Sequence, residues 1–315
     1  RFDGSPSHLL EAFGIESFDE VYTKLAAGVG PWEGQRIQVT PDEPPQPPQR
    51  LRPQNSQGFF YQAFVLAMRY VTLMARDRRN LISIAIQTVL LGLITAVILR
   101  GDLFQFPPAA RDPLTGKAAQ LIFLMVTISI WMGSIASARE IVKERSVMAR
   151  EWAVGVGINA YIASKLIVLL TLVSCQVLVF FLIVAAIKGP SPGEITLFIV
   201  LLVCSWIAVM LGLIVSAWAR SEDQATGLIP ILLVPQLVFG GALVTLNDMP
   251  GGVRVLAALI PSRWGYDAGG TAIDMPERMA AENEDPTQVA LLKGYGTKFF
   301  HLEIFQFLLV ATLFL

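Results

Sequence analysis

The chain has 315 residues, of which 54% are hydrophobic and 16% charged, and its mean hydropathy is +0.56. In soluble domains about a quarter of the residues are charged. This composition therefore excludes an ordinary soluble domain and predicts a membrane protein. The formal net charge of −1 excludes the basic surface typical of nucleic-acid binding.

The sequence contains no pattern typical of a catalytic or metal site. Cys175 and Cys204 lie inside apolar runs, where small buried hydrophobes are expected. His8 and His301 are far apart and lack the spacing of metal ligands. We therefore expect no catalytic residue, no metal site and no cofactor site in this segment. The chain begins without Met and ends within an apolar run, so we expect it to be a piece of a larger protein.

Three stretches precede the first apolar run. Residues 1–39 have a mixed, globular composition, and residues 40–57 include a proline-rich spacer. Residues 58–80 alternate apolar and basic positions with helical periodicity, for example at Phe64 and Arg69. A basic amphipathic helix ahead of a span is expected to lie along the membrane surface, although a simple anchor has the same pattern.

The remainder, 81–315, predicts an all-α polytopic membrane domain of six spans, the last one incomplete. Basic residues are richer before the first span and between the second and third, which places the N-terminus in the cytoplasm. The apolar windows are 81–99, 118–138, 166–187, 195–218, 227–246 and 303 to the end.

A charged segment, residues 139–165, separates the second and third spans. Glu140 stands at the end of the second span, where a carboxylate is costly unless it is paired. Val147, Met148 and Trp152 form the apolar side of a short amphipathic helix that also carries Glu151. The segment is expected either to receive force from a domain outside the membrane or to lie on lipid.

The spans themselves carry polar but uncharged candidates for a central path. Pro230 and Pro235 interrupt the fifth span, which loosens it or reflects ordinary close packing of helices. The absence of titratable residues deep in the first five spans favours an apolar or amphiphilic substrate and disfavours an ion-coupled carrier. The polar path candidates are Gln87, Thr127, Ser134 and Gln236.

In this order and spacing, several motifs resemble the membrane domain of ABCG-type exporters, among the type-two ABC exporters. The stretch Ala-Arg-Glu-Ile-Val-Lys-Glu-Arg-Ser-Val-Met-Ala-Arg-Glu at 138–151 is similar to the family's acidic relay residue and first coupling helix. Arg76-Asp77 resembles the end of the connecting helix. Residues 2–22 resemble the tail that follows an ATPase domain, and 239–244 and 260–267 resemble the fifth span and the segment after it.

The resemblance implies a permease domain that moves a lipid-like or amphiphilic compound outward across the bacterial inner (plasma) membrane. It implies a homodimer, and an ATPase domain, in cis or in trans, that binds ATP and Mg and is preceded in some relatives by FHA domains. Whether the parent is counted as an enzyme depends on that ATPase domain. The implied relay and coupling residues are Arg76, Glu140, Lys143, Arg145, Val147, Met148, Glu151 and Trp152. By the same resemblance, Glu140 would link the second span to the connecting helix through Arg76 or Arg79. The resemblance also implies an apolar valve in the substrate path near Phe239, Ala242 and Leu243.

Two departures accompany the resemblance. The segment lacks a Gly-x-x-x-x-Gly-Lys-Ser/Thr loop, and the Gly-Val-Gly-Pro-Trp stretch at 28–32 lacks its lysine, so ATP is not bound here. The long loop 247–302 contains no cysteine, unlike the disulfide-bonded outer loop of animal members. The alternatives left open are a permease for polysaccharide precursors with a separate ATPase chain, an ion-coupled secondary carrier, and a membrane scaffold that transports nothing.

Overall fold

Helices account for nearly all of the backbone that the computed structural model describes. The chain divides into two compact units, Arg1–Gln54 and Asn55–Leu315. All described residues except Glu20 belong to the second unit, and none of them forms a strand, which confirms the all-α prediction. The described residues are 20, 58–99, 115–153, 155–189, 193–242, 244, 249–275 and 302–314.

The first two helices meet at a sharp break. Helix α1 spans Phe59–Arg76 and helix α2 spans Arg78–Ile98. Asp77 separates them because its carboxylate accepts a hydrogen bond from the Asn80 backbone N–H at 3.2 Å, capping the start of α2. The amphipathic helix thus ends four residues before the predicted boundary at 80.

The next helices are joined by a structured turn. Helix α3 spans Thr115–Ser137, a short 3₁₀ turn follows at Val142–Glu144, and helix α4 spans Arg145–Ala153. Helix α5 spans Ile158–Lys188 and begins eight residues earlier than the predicted apolar window. We call residues 138–157, between α3 and α5, the elbow.

The second half of the unit contains one long helix and several shorter ones. Helix α6 spans Glu194–Trp218 and helix α7 spans Glu222–Phe239. Three short helices follow, α8 at Gly251–Ala258, α9 at Pro261–Ala272 and α10 at Ile304–Thr312. Helix α9 is largely buried and packs against α3 and α6.

Four helical ranges among the described residues are long and apolar enough to cross a membrane. They are Arg78–Ile98, Lys117–Ala153, Ile158–Lys188 and Glu194–Trp218. They contain the first four predicted spans, and the chain is therefore a multi-pass membrane protein. The fifth and sixth spans stay predictions, since α7 is short and contains two prolines and α10 lies at the end of the chain.

Helix α3 lies at the centre of the bundle. About 78% of its apolar window is buried, against 22% for α2, and its most extensive packing is against α6. Small residues permit this packing, because a Cβ at Gly133 would lie 2.3 Å from the Ser205 carbonyl oxygen of α6. At the elbow, helix α1 meets the end of α3 and the start of α5. The end of α6 and the start of α7 contact the same region.

Candidate functional site

The predicted acidic residue of the elbow, Glu140, is buried and has three partners. It lies in the turn between α3 and the 3₁₀ helix and is 8% exposed. Its carboxylate accepts a hydrogen bond from the Tyr70 hydroxyl of α1. It also pairs with Lys143 of the elbow and with Lys165 of α5, whose Nζ lies 3.5 Å away. A buried carboxylate is tolerated only when it is paired in this way, so Glu140 joins α3 to α1 and α5.

The link from Glu140 to α1 differs from the expected one. The sequence suggested Arg76 or Arg79 as the partner, but both arginines are exposed on the structure. Arg76 is the last residue of α1, whereas Tyr70 lies further inside the helix on its buried side, 4% exposed. The contact is therefore made by a phenol hydroxyl instead of a guanidinium, because the face of α1 that meets the elbow carries Tyr70.

Lys165 occupies the middle of the site. Its side chain is 2% exposed, and its Nζ lies 2.8 Å from Glu144 Oε1. The same ammonium lies 3.5 Å from the centroid of the Tyr70 ring, a cation–π contact. Glu144 also accepts a hydrogen bond from the Tyr161 hydroxyl at 3.2 Å. Glu140 and Glu144 thus share one buried cation, Lys165, near the start of α5.

The hydroxyl of Tyr70 is held in its protonated form. Burial first, and then the neighbouring Glu140 carboxylate, raise the pKa of Tyr70 well above its usual value. The hydroxyl therefore remains a hydrogen-bond donor to Glu140 throughout the physiological pH range.

A fourth ion pair fixes α4 to α1. The Arg69 guanidinium of α1 donates to both carboxylate oxygens of Glu151, the second contact being 3.4 Å from Nη2 to Oε2. The hydrogen bonding to Glu151 raises the pKa of Arg69 above its ordinary value, so the guanidinium stays charged. We call these eight side chains the charge network; six are linked around Glu140 and Glu144, and Arg69 and Glu151 form a separate pair beside them. It comprises three cations, three carboxylates and two phenols, namely Arg69, Lys143, Lys165, Glu140, Glu144, Glu151, Tyr70 and Tyr161.

The apolar residues of α4 point in two directions. Val147 and Trp152 are 37% and 53% exposed and give α4 its outward apolar surface. They lie on different sides of the helix, since five positions exceed one turn of about 3.6 residues, and Trp152 lines a small cavity together with Met148. Met148 instead packs inward against a small cluster that includes Leu66 of α1 and Tyr161 of α5. The predicted apolar side of this helix is therefore split between an inner contact and an outer surface.

The predicted path residues are scattered through the bundle. Thr127 and Ser134 of α3 are buried, and their hydroxyls find no hydrogen-bond partner within the described part of the chain. Gln87, Phe239 and Ala242 are half-buried. Leu243 lies outside the described residues, and a shared path for the set stays a prediction.

Gln236 has a structural partner in the segment that follows α7. Its side-chain oxygen accepts a hydrogen bond from the Ser262 backbone N–H at 3.0 Å, and its backbone carbonyl accepts one from the Ser262 hydroxyl at 2.7 Å. Gln236 is 2% exposed. These two bonds fix the end of α7 against the start of α9.

The relay and coupling residues predicted from the sequence omit five members of the charge network, namely Arg69, Tyr70, Glu144, Tyr161 and Lys165. Lys165 was assigned to the loop before the third span, and Tyr70 carried no charge to mark it. For Lys165, the available signal in the sequence was its position next to the start of an apolar run. Within the described ranges, no group of three or more His, Cys, Asp or Glu residues is placed to hold a metal ion.

The chain matches one protein family and is similar to a named bacterial protein. Residues 61–269, about two thirds of the chain, match the family described as ABC-2 type transporter. The chain is also similar to an ABC transporter ATP-binding/permease protein of Mycobacterium tuberculosis, with 26% identity over 287 residues. That alignment covers 87% of this chain and 33% of the relative, so the chain spans about a third of the relative's length.

Proposed function

This chain belongs to the ABC-2 type transporter family, and we propose from this membership that it is the permease part of an ATP-driven exporter. Its membership confirms the ABCG-like resemblance seen in the sequence. The proposed substrate is a lipid-like or amphiphilic compound. The proposed location is the bacterial inner membrane, with the N-terminus and the elbow in the cytoplasm.

The observation that carries the proposal is the charge network around Glu140. It joins the elbow to α1 and α5 through buried ion pairs and hydrogen bonds. Because these bonds are enclosed and connect several elements, a displacement of the elbow would move α1, α3 and α5 together. This is the behaviour expected of a segment that receives force from outside the membrane.

The outward face of α4 is the proposed contact for an ATPase domain. Val147 and Trp152 expose apolar surface there, and aromatic residues of this kind commonly anchor protein interfaces. The Mycobacterium tuberculosis relative is named as an ATP-binding/permease protein. We therefore propose that ATP and Mg bind in an ATPase domain of the parent protein or of a partner chain.

A second copy of the chain is the proposed partner within the membrane. Helix α2 leaves most of its apolar window uncovered by its own chain. Lipid and a second copy are proposed to share this surface. The transport path would then lie between two permease domains.

The substrate class is proposed from the distribution of charge. The charged residues of the described candidate spans lie near the helix ends, as at Lys188 and Glu194, or in the charge network. A path formed by the apolar central parts suits an amphiphile whose apolar part is buried during passage. This also favours an external energy source over coupling to an ion.

The test uses the full-length protein in lipid vesicles, with ATP hydrolysis and transport measured for a panel of amphiphiles and cell-envelope lipids. Glu140→Gln removes the carboxylate charge but keeps an acceptor for Tyr70. Trp152→Ala removes the outward anchor of α4. Trp131→Ala, which truncates a 44% exposed tryptophan of α3 away from the elbow, is the matched control.

We expect one compound to stimulate ATP hydrolysis in the wild type and in Trp131→Ala, and both elbow variants to lose that stimulation while dimerisation is retained. Transport that continues unchanged in both elbow variants would refute the coupling role of the elbow. Transport that requires an ion gradient and no ATP would favour a secondary carrier. Stimulation only by polysaccharide precursors would favour the alternative substrate class.

A further inference from the structure

The elbow has a second set of contacts, directed away from the charge network. Arg145, the first residue of α4, donates from Nη2 to the carbonyl oxygens of Ala217 and Ala219, each at 2.8 Å. These carbonyls belong to the C-terminal end of α6, where backbone oxygens lack partners within the helix. A cation at this position is also favoured by the helix dipole. Arg145 therefore caps α6 and does not belong to the outward face of α4.

Ser216 adds two hydrogen bonds to the same junction. Its hydroxyl oxygen, fully buried, accepts from the backbone N–H groups of Ile141 and Val142 at 2.9 and 3.1 Å. Val142 packs against Ala219 and Ala225, both fully buried. The turn after α3 is thus joined to the end of α6 by two hydrogen bonds from backbone N–H groups to the Ser216 hydroxyl, as well as by Arg145.

The junction between α6 and α7 is short and closed by its own cap. Only residues 219–221 separate the two helices. The Ser221 hydroxyl accepts from the Gln224 N–H at 3.2 Å, and the Gln224 side chain accepts from the Arg220 N–H at 2.8 Å. This arrangement resembles a capping box, except that Gln224 accepts from Arg220, the residue before the N-cap Ser221. A displacement of the junction would therefore reach the first turn of α7 instead of being absorbed in a loose loop.

Helix α7 is suited to respond to such a displacement. It contains Pro230 and Pro235, and each proline removes a backbone hydrogen bond from the helix and favours a bend. Beyond them, Gln236 fixes the helix to α9. The start of α7 is held by the elbow and its end by α9, with both prolines between the two attachments.

We propose that Arg145 and Ser216 form a junction clamp, which passes movement of the elbow to α7. This inference rests on the proposed function, since the movement would come from an ATPase domain. The charge network carries the same movement to α1 and α5, so one displacement of α4 is divided between two groups of helices. Arg145 is a positioning residue in this scheme and contacts neither ATP nor substrate.

The first test compares Arg145→Gln with Arg139→Gln in the full-length protein in vesicles. Arg139 is an exposed arginine of the turn after α3, also within the elbow, and both variants remove one positive charge. Arg145→Lys restores a cation that can donate to the helix-end carbonyls, although without the planar fork of arginine. Transport per ATP hydrolysed, the KM for ATP and the thermal midpoint are measured for each.

We expect Arg145→Gln to reduce transport per ATP by about fivefold or more, the lower range of measured coupling between sites. The KM for ATP should stay unchanged, Arg139→Gln should match the wild type, and Arg145→Lys should recover most of the loss. Equal transport per ATP in Arg145→Gln and Arg139→Gln would overturn the clamp while leaving the proposed function in place. A wild-type protein without ATP-dependent transport would overturn both.

The second test does not depend on the stability of an Arg145 variant. Spin labels are placed at Ala149→Cys of α4 and Thr226→Cys of α7, both exposed, in a background with Cys175→Ser and Cys204→Ala. The distance between the labels should be the same with and without ATP, because the clamp holds the two helices together. A change of about one helical turn, ~5 Å, would show that α4 moves independently of α7 and would overturn the clamp.

Discussion

Replacing Lys165 with methionine should destabilise the protein far more than the same change at Lys143. Methionine keeps much of the length and volume of the lysine side chain but removes the ammonium. The Lys165 side chain is 2% exposed, and its Nζ contacts Glu144 at 2.8 Å and Glu140 at 3.5 Å. The change therefore leaves two buried carboxylates close to each other without their shared cation.

The remaining partners of the two carboxylates set the magnitude. Removing one member of a buried ion pair costs about 3–5 kcal/mol. Glu140 keeps Tyr70 and Lys143, and Glu144 keeps Tyr161, so we expect the lower end, about 3 kcal/mol. The Lys143 side chain is 35% exposed, and exposed pairs contribute about 0–1 kcal/mol.

Thermal unfolding in detergent, followed by tryptophan fluorescence, measures the difference. A loss of 1 kcal/mol lowers the Tm by about 2–4 °C for a domain of 150–250 residues. Lys165→Met should thus lower the Tm by about 6–12 °C and Lys143→Met by at most about 4 °C. Equal small shifts in both variants would mean that water reaches the carboxylates, and the argument for a rigid charge network would be refuted.

Further predictions concern other contacts of the bundle. Gly133→Ala should cost about 1–3 kcal/mol, because its Cβ would meet the backbone of α6 at 2.3 Å. Gln236→Leu should cost a similar amount, about 1–3 kcal/mol, since it leaves the buried Ser262 N–H without its acceptor. The Arg69–Glu151 pair, with side chains 40% and 20% exposed, should show a coupling energy below about 1 kcal/mol in a double-mutant cycle. That coupling should fall further as salt is added.

These outcomes have matched controls. Gly227 lies in α7 with open space around its Cβ position, so Gly227→Ala should leave the Tm unchanged or raise it. If Gly133→Ala is equally stable, the close contact of α3 with α6 is wrong. A neutral Gln236→Leu would show that α9 is not fixed through Ser262. A salt-independent Arg69–Glu151 coupling would place that pair out of contact with solvent.

Apolar windows predicted the first four spans but not where the helices begin. Helix α5 starts at Ile158, eight residues before its apolar window, because Tyr161, Ser164 and Lys165 are buried against other elements. Hydrophobic periodicity cannot reveal this, since polar residues are buried there by virtue of partners that lie far away in the sequence. The first four spans were predictable because lipid solvates long apolar helices whatever their neighbours are.

The candidate site was predictable in part. Glu140 could be identified because a carboxylate at the end of a span needs a partner. Its partner on α1 could not be identified, because the choice between Tyr70 and Arg76 depends on the rotation of α1 about its own axis. The same reason explains Arg145, whose side chain caps α6 while Val147 of the same helix points outward.

The central position of α3 affects the order in which the bundle can assemble during synthesis on the ribosome. Helix α3 is made before its main neighbour α6, which ends about 80 residues later in the chain. At about 5–20 residues per second, roughly 4–16 seconds of synthesis separate the end of α3 from the end of α6. During that interval the backbone at Gly133, which meets the Ser205 carbonyl of α6 in the finished bundle, has no α6 to cover it. The centre of the bundle can therefore close only after α6 has been made.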